Sequence, residues 1–234
     1  MARQRDLIWL AGLLLVSGQV AGLIVGAFHA SGDKPNDHAA VFKRYAESDA
    51  WTAVHVLLFI SALIIVAGLI VLARALAGIE RGRHLAVLIA VGAAVVAAAS
   101  GLVLAVDGVA LKQTVDAWVS ALPAEKAFAF HDAEVVRWME WGADSFQATA
   151  EGVTYLLLGC AIVRTAILPK WIGWLTGVSG LGYIATAFVV GYEGFTDALS
   201  IVNVTAGVLF LIVSIGIVTN GWRARKPDAP PAAA

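Results

Sequence analysis

Apolar residues fall into six long blocks, at about 7–29, 51–73, 84–106, 147–168, 171–191 and 198–220, separated by polar segments. Each block is long enough to cross roughly 30 Å of hydrocarbon at 1.5 Å per residue, and none shows the alternation of a half-buried strand. The pattern predicts an all-α, polytopic membrane protein. A single transmembrane domain occupies 1–222, an outer amphipathic cap 107–146, and a disordered cytoplasmic tail 223–234, whose "RARKPDAPPAAA" is rich in Pro and Ala. The first block follows Arg3 and Arg5 as a signal peptide would, but it runs to Phe28, beyond a typical h-region, and is expected to stay as a helix.

The longest connection is too regular for a structureless loop. Residues 107–146 are expected to form two short interfacial helices broken near Pro123. In the second, Val135, Trp138, Met139, Gly142 and Phe146 make an apolar stripe at helical spacing. Arg137, Glu140, Asp144, Gln147, Glu151 and Thr154 make a polar one, spaced so that a continuous helix would carry them on one face from water into the membrane. An ionised carboxylate facing lipid is costly, so Glu151 should face the bundle interior.

Composition confirms the class and removes soluble alternatives. The chain is 60% hydrophobic and 14% charged, with a mean hydropathy of +0.82. Lipid bilayer is the expected environment; nucleic acid is not an expected partner. Ten basic residues lie beside the side that would hold both termini and six on the other, while 14 of the 17 acids belong to the opposite, outer side. That asymmetry orients both termini to the cytoplasm of a plasma (inner) membrane. The lone Cys160 sits in an apolar run and reads as core packing. Gly18, Gly22 and Gly26 form a small-residue face on the first helix, suited to packing within the bundle or to a homodimer.

Candidate chemistry concentrates in the outer half. His55 lies one turn into the second block, Glu151 one turn into the fourth and Asn203 one turn into the sixth, predicting a polar pocket centred on these three. Asp107, Gln147, Tyr183 and His29 lie at compatible depths. Imidazole and carboxylate suit a divalent metal, with His55 and Glu151 as the core ligands and Asp107, His29 or His131 as further ones. The same two residues would equally serve as one buried hydrogen-bonded pair fixing helix register. A haem would have only His29 and His55 at suitable depth. No HExxH, CxxC or GxSxG is present, so the leading expectation is non-enzymatic. It is binding of a small ligand, lipid or ion in the pocket, or service as an accessory subunit among other membrane subunits. A metal-dependent membrane enzyme and a cation- or proton-coupled carrier are the alternatives.

The segment "AIVRTAILPKWIGWLTGVSGLGYIA", residues 161–185, resembles a bacterial family of six-helix membrane proteins whose domain is of unknown function. The resemblance rests on a Leu-Pro-basic-Trp-x-Gly-Trp turn, here Leu168, Pro169, Lys170, Trp171, Gly173 and Trp174. It implies a six-helix membrane fold and assigns no activity.

Overall fold

The computed structural model describes residues 2–30 and 34–225. Helices run over Ala2–Gly26 (α1), His38–Ala46 (α2), Trp51–Ala77 (α3), Arg83–Ala105 (α4), Lys112–Ser120 (α5), Lys126–Thr165 (α6), Lys170–Glu193 (α7) and Asp197–Arg225 (α8). A π-helical segment, Val106–Leu111, joins α4 to α5 without interrupting the rod. Six of these rods are long and apolar enough to cross a membrane, and the chain is a multi-pass membrane protein. Of the expected tail, 223–225 extend α8; the remainder, 226–234, lies outside the described residues.

The spanning helices pack in the order α1, α3, α4, α6, α7, α8, and α8 closes the ring on α1. The start of α1 and the end of α8 therefore meet at one end of the bundle. There Arg5 donates to the Ala224 carbonyl (2.8 Å) and Arg225 pairs with Asp6 (2.8 Å). The half of the ring nearest the termini is filled by Leu15, Leu69, Leu72, Leu158, Ile172 and Ile217, all fully buried. Apolar residues such as Ile24, Leu57, Val91, Phe188 and Ile215 cover the outside, as a lipid-facing surface requires.

The opposite end carries a cap with its own core. Phe42, Trp51, Leu111, Val115, Trp118 and Ala133 bring together α2, the start of α3, the π segment, α5 and α6. The α2 helix, whose N-terminus is capped by Asp37 Oδ1 accepting the Ala40 amide (3.2 Å), does not stand out in the hydrophobic pattern because it is short and polar on its outer face.

Two expectations change here. Pro123 does break the connection, but the second cap helix and the fourth membrane helix are one 40-residue rod, α6. No proline lies between Lys126 and Thr165, so nothing stops the helix at the membrane surface. The apolar stripe through Val135, Trp138, Met139 and Phe146 consequently points outward, and the polar stripe inward. The second change concerns Cys160, which is exposed on the outer face of α6, because its neighbour Gly159 takes the packed position.

The α6–α7 contact is the most extensive in the bundle. A Cβ on Gly159 would meet the Gly173 carbonyl oxygen at 2.6 Å, and one on Gly152 the Gly180 carbonyl at 2.6 Å; the reverse approaches are 2.9 and 2.7 Å. Reciprocal glycines thus let two backbones touch where lipid gives helices no hydrophobic drive to associate. Between the helices Ala166 turns left-handed (φ 50°), and Pro169 precedes the first turn of α7. On α1, Gly18 and Gly22 face Ser61 and Ile65 of α3, so two of the three glycines on that face are used inside the bundle.

Replacing Gly159 by Ala should destabilise the protein by about 1–3 kcal/mol, since only backbone atoms could yield. At Gly177, where an added Cβ meets nothing within 4 Å, the same change should be neutral or slightly stabilising. Thermal unfolding in detergent checks both; equal losses at the two positions would contradict the seam.

Candidate functional site

The cap half of the ring is not filled, and it holds two neighbouring cavities. The larger, about 580 Å³, lies between α1, α3, α6, α7 and α8. It forms because α1 and α8 touch closely towards the termini, where Gly12 meets the Val218 backbone and Gly221 the Trp9 backbone. Among the described residues, their polar link farthest from the termini is Gln19 Nε2 donating to Ser214 Oγ at 2.7 Å. Beyond it Gly22 and Leu23 of α1 and Gly207 and Val208 of α8 face the cavity, and Leu23, Val204 and Val208 at its rim are more than half exposed.

Its polar wall is the predicted stripe of α6. Asp144, Gln147 and Glu151 line the cavity, with Gln147 Nε2 donating to Glu151 Oε1 (3.0 Å). Across from them stand Asn203 of α8 and Tyr183 and Thr186 of α7; the Thr186 hydroxyl has no partner among the described residues. One turn of α6 beyond Glu151, Tyr155 stacks on Phe210 (centroids 4.0 Å) and lies edge-on to Tyr183 (5.4 Å).

The smaller cavity, about 240 Å³, lies towards the cap and is lined by His29, Tyr45, Asp107, Arg137 and Glu140 among others. Phe195 and Ser200 border both cavities. Beside it His55 sits 2% exposed, its Nε2 2.8 Å from Asp107 Oδ2 and its Nδ1 2.7 Å from the Trp51 carbonyl. The His29 ring lies 5.3 Å from the His55 ring and 4.6 Å from that of Trp51.

Asp107 reaches His55 through the π segment. A wider turn leaves carbonyls without their α-helical partners, and side chains of α3 take two of them. Trp51 Nε1 donates to the Asp107 carbonyl (2.9 Å) and Thr52 Oγ1 to that of Gly108 (2.8 Å). Gly108 allows this approach, since a Cβ there would lie 2.4 Å from His55 Cβ.

Arg137 and Glu140 are both buried and paired at 2.7 Å, with the guanidinium 4.4 Å from the centre of the Phe195 ring and 5.6 Å from that of Tyr45. Burial pushes the Tyr45 phenol above its usual range, so it stays neutral beside the cation. A buried pair of this kind is costly to break, because the survivor is left as an uncompensated charge.

The residues expected in one pocket are thus shared between two. Glu151, Gln147, Asn203 and Tyr183 meet in the larger cavity; His55, Asp107 and His29 gather beside the smaller. His55 bonds Asp107, and Glu151 bonds Gln147, so the two are not partners. The reason is rotational: α6 presents Glu151 towards α7 and α8, whereas the π turn carries Asp107 across to α3. Among the described residues, His29, His55 and Asp107 alone form a cluster of three metal-type ligand groups, with one ligand atom from each within 4.8 Å of the others. Exposed His131, named as a further ligand, lies apart from it. Arg137 and Glu140 belong to the polar stripe outside the expected pocket, and their spacing of three on its inward face is the sequence signal for their pairing.

No curated protein and no solved structure matches the chain. A family model described as Domain of unknown function (DUF4386) matches residues 10–221, a span that includes the Leu168–Trp174 turn, and the chain belongs to that family.

Proposed function

We propose that this protein binds an amphiphilic small molecule from the surrounding leaflet, holding its head group in the larger cavity. One observation carries the proposal. The cavity joins a hydrogen-bonding wall on α6 to an apolar rim between α1 and α8, where Leu23, Val204 and Val208 face outward. Its volume of about 580 Å³ falls in the range of small-molecule sites, about 300–1,000 Å³. Asp144 and Glu151 favour a head group that is cationic or rich in hydrogen-bond donors, and Asn203 supplies both a donor and an acceptor. An apolar tail would lie between α1 and α8, against side chains that otherwise meet lipid.

Orientation belongs to the same proposal. Arg3, Arg5, Arg74, Arg81, Arg83, Arg164, Lys170, Arg223 and Arg225 all belong to the end that carries the termini. Placing that end in the cytoplasm of a plasma membrane satisfies the positive-inside rule and puts both cavities in the outer leaflet.

A photoreactive long-chain alkylamine should label the wild-type protein on α1 or α8 near the rim. Glu151→Gln should weaken its binding about tenfold, the loss of one charge-assisted bond worth about 1.4 kcal/mol. Gly207→Trp, which fills the cavity, should abolish labelling. Labelling indifferent to both changes would refute the assignment. For orientation, single cysteines at Lys170 and Glu125 in a Cys160→Ser background can be probed on intact cells with a membrane-impermeant thiol reagent. Reaction at 125 and protection at 170 are expected; the reverse would invert the topology.

A further inference from the structure

We infer that His29, His55 and Asp107 form a mononuclear site for a divalent transition metal of the zinc type, separate from the amphiphile cavity and independent of it. The starting point is the tautomer of His55. Its Nδ1 lies 2.7 Å from the Trp51 carbonyl, and a carbonyl only accepts, so Nδ1 carries the hydrogen. In the neutral ring Nε2 is then a lone pair, directed at a carboxylate oxygen 2.8 Å away. Two electron pairs in such contact repel unless they share a cation. Either a second proton or a metal ion fills that role.

Three features favour the metal. A histidine whose remote nitrogen donates to a main-chain carbonyl is held as a metal ligand usually is, its tautomer and ring angle fixed from behind. The other carboxylate oxygen, Asp107 Oδ1, is buried without a hydrogen-bond partner among the described residues, an orphan that a proton on Nε2 would not satisfy. The third group, His29, stands within reach although nothing in a simple ion pair requires it.

The distances need only a small adjustment to match metal ligation. Ligand atoms around a tetrahedral ion with bonds near 2.0–2.1 Å stand about 3.4 Å apart. The present cluster, within 4.8 Å overall, requires the His55–Asp107 contact to open slightly and the His29 ring to draw in. His29 follows the end of α1 and belongs to no helix, so its ring can move without disturbing a helical turn.

The protein contributes three ligands, which leaves a fourth position. Asp107 and His29 both line the 240 Å³ cavity, which also holds Arg137 and Glu140. A water or an anionic oxygen on the metal would therefore lie in the same space as a buried cation and a carboxylate. The arrangement matches open, exchangeable sites better than closed structural ones.

The test uses the full-length protein in detergent, stripped with a chelator and titrated with Zn²⁺ against a competing fluorescent indicator; Co²⁺ titration follows by visible absorption. One equivalent of Zn²⁺ is expected, with the intense visible bands of four-coordinate Co²⁺. His29→Ala should weaken Zn²⁺ binding at least about tenfold while the protein keeps its thermal unfolding midpoint without metal. Asp107→Asn preserves side-chain shape and should do the same. His131→Ala, at an exposed histidine, should bind as the wild type does. Failure of the wild type to take up metal at micromolar free Zn²⁺ would overturn the inference, as would uptake unaffected by both His29→Ala and Asp107→Asn. Neither result bears on alkylamine labelling, so the two proposals fail separately.

Discussion

Hydrocarbon offers no hydrogen-bond partner, and each polar group below the membrane surface must find one inside the protein. That constraint organises this bundle more than apolar attraction does, because lipid tails are as apolar as leucine. It explains the hydroxyls of Thr154 and Thr176, which bond back to carbonyls one turn earlier on their own helices. It also explains why Gln19 reaches across to Ser214, and why Arg137 and Glu140 pair inside the cap rather than facing outward. The polar face of α6 is turned inward for the same reason, and the cavity wall is its continuation.

The glycine seam between α6 and α7 makes that inward turn possible. Backbones in contact at Gly152, Gly159, Gly173 and Gly180 fix the rotation of α6 about its axis. With the rotation set, residues at spacings of three and four above the seam must point to the ring centre. At the cap end the centre is not filled, and Asp144, Gln147 and Glu151 line the space beside Leu58, Ile65, Leu199 and Leu211. One long rod thus acts as packing surface near the termini and as cavity wall near the cap.

The two cavities adjoin at Phe195 and Ser200, at and just after the α7–α8 turn. Gly194, at φ +70°, lets that turn lie against the Trp141 ring, where a Cβ would approach to 2.4 Å. Phe195 also packs on the Arg137 guanidinium. The proposed metal position and the proposed head-group position therefore lie on either side of one turn of chain.

Much of the architecture was legible in residue order. Six apolar blocks dictate six spanning helices because a bilayer accepts little else. The 3–4 spacing from Arg137 to Thr154 dictates a polar face on whatever helix forms there. The Leu168–Trp174 turn, with its proline and its interfacial tryptophans, announces the α6–α7 hairpin. Which polar residues meet was not legible, because partners on different helices depend on axial rotation and on local changes of helical pitch. Asp107 reads as the end of an α-helix, yet a π turn with no sequence signature of its own carries it to His55 and away from Glu151. The hydrophobic pattern alone determined the number of spanning helices and the polar face of the fourth, since both follow from local periodicity and bilayer thickness. Tertiary packing decided the pairing of His55 with Asp107 and the division of one expected pocket into two, since both rest on contacts between residues far apart in the chain.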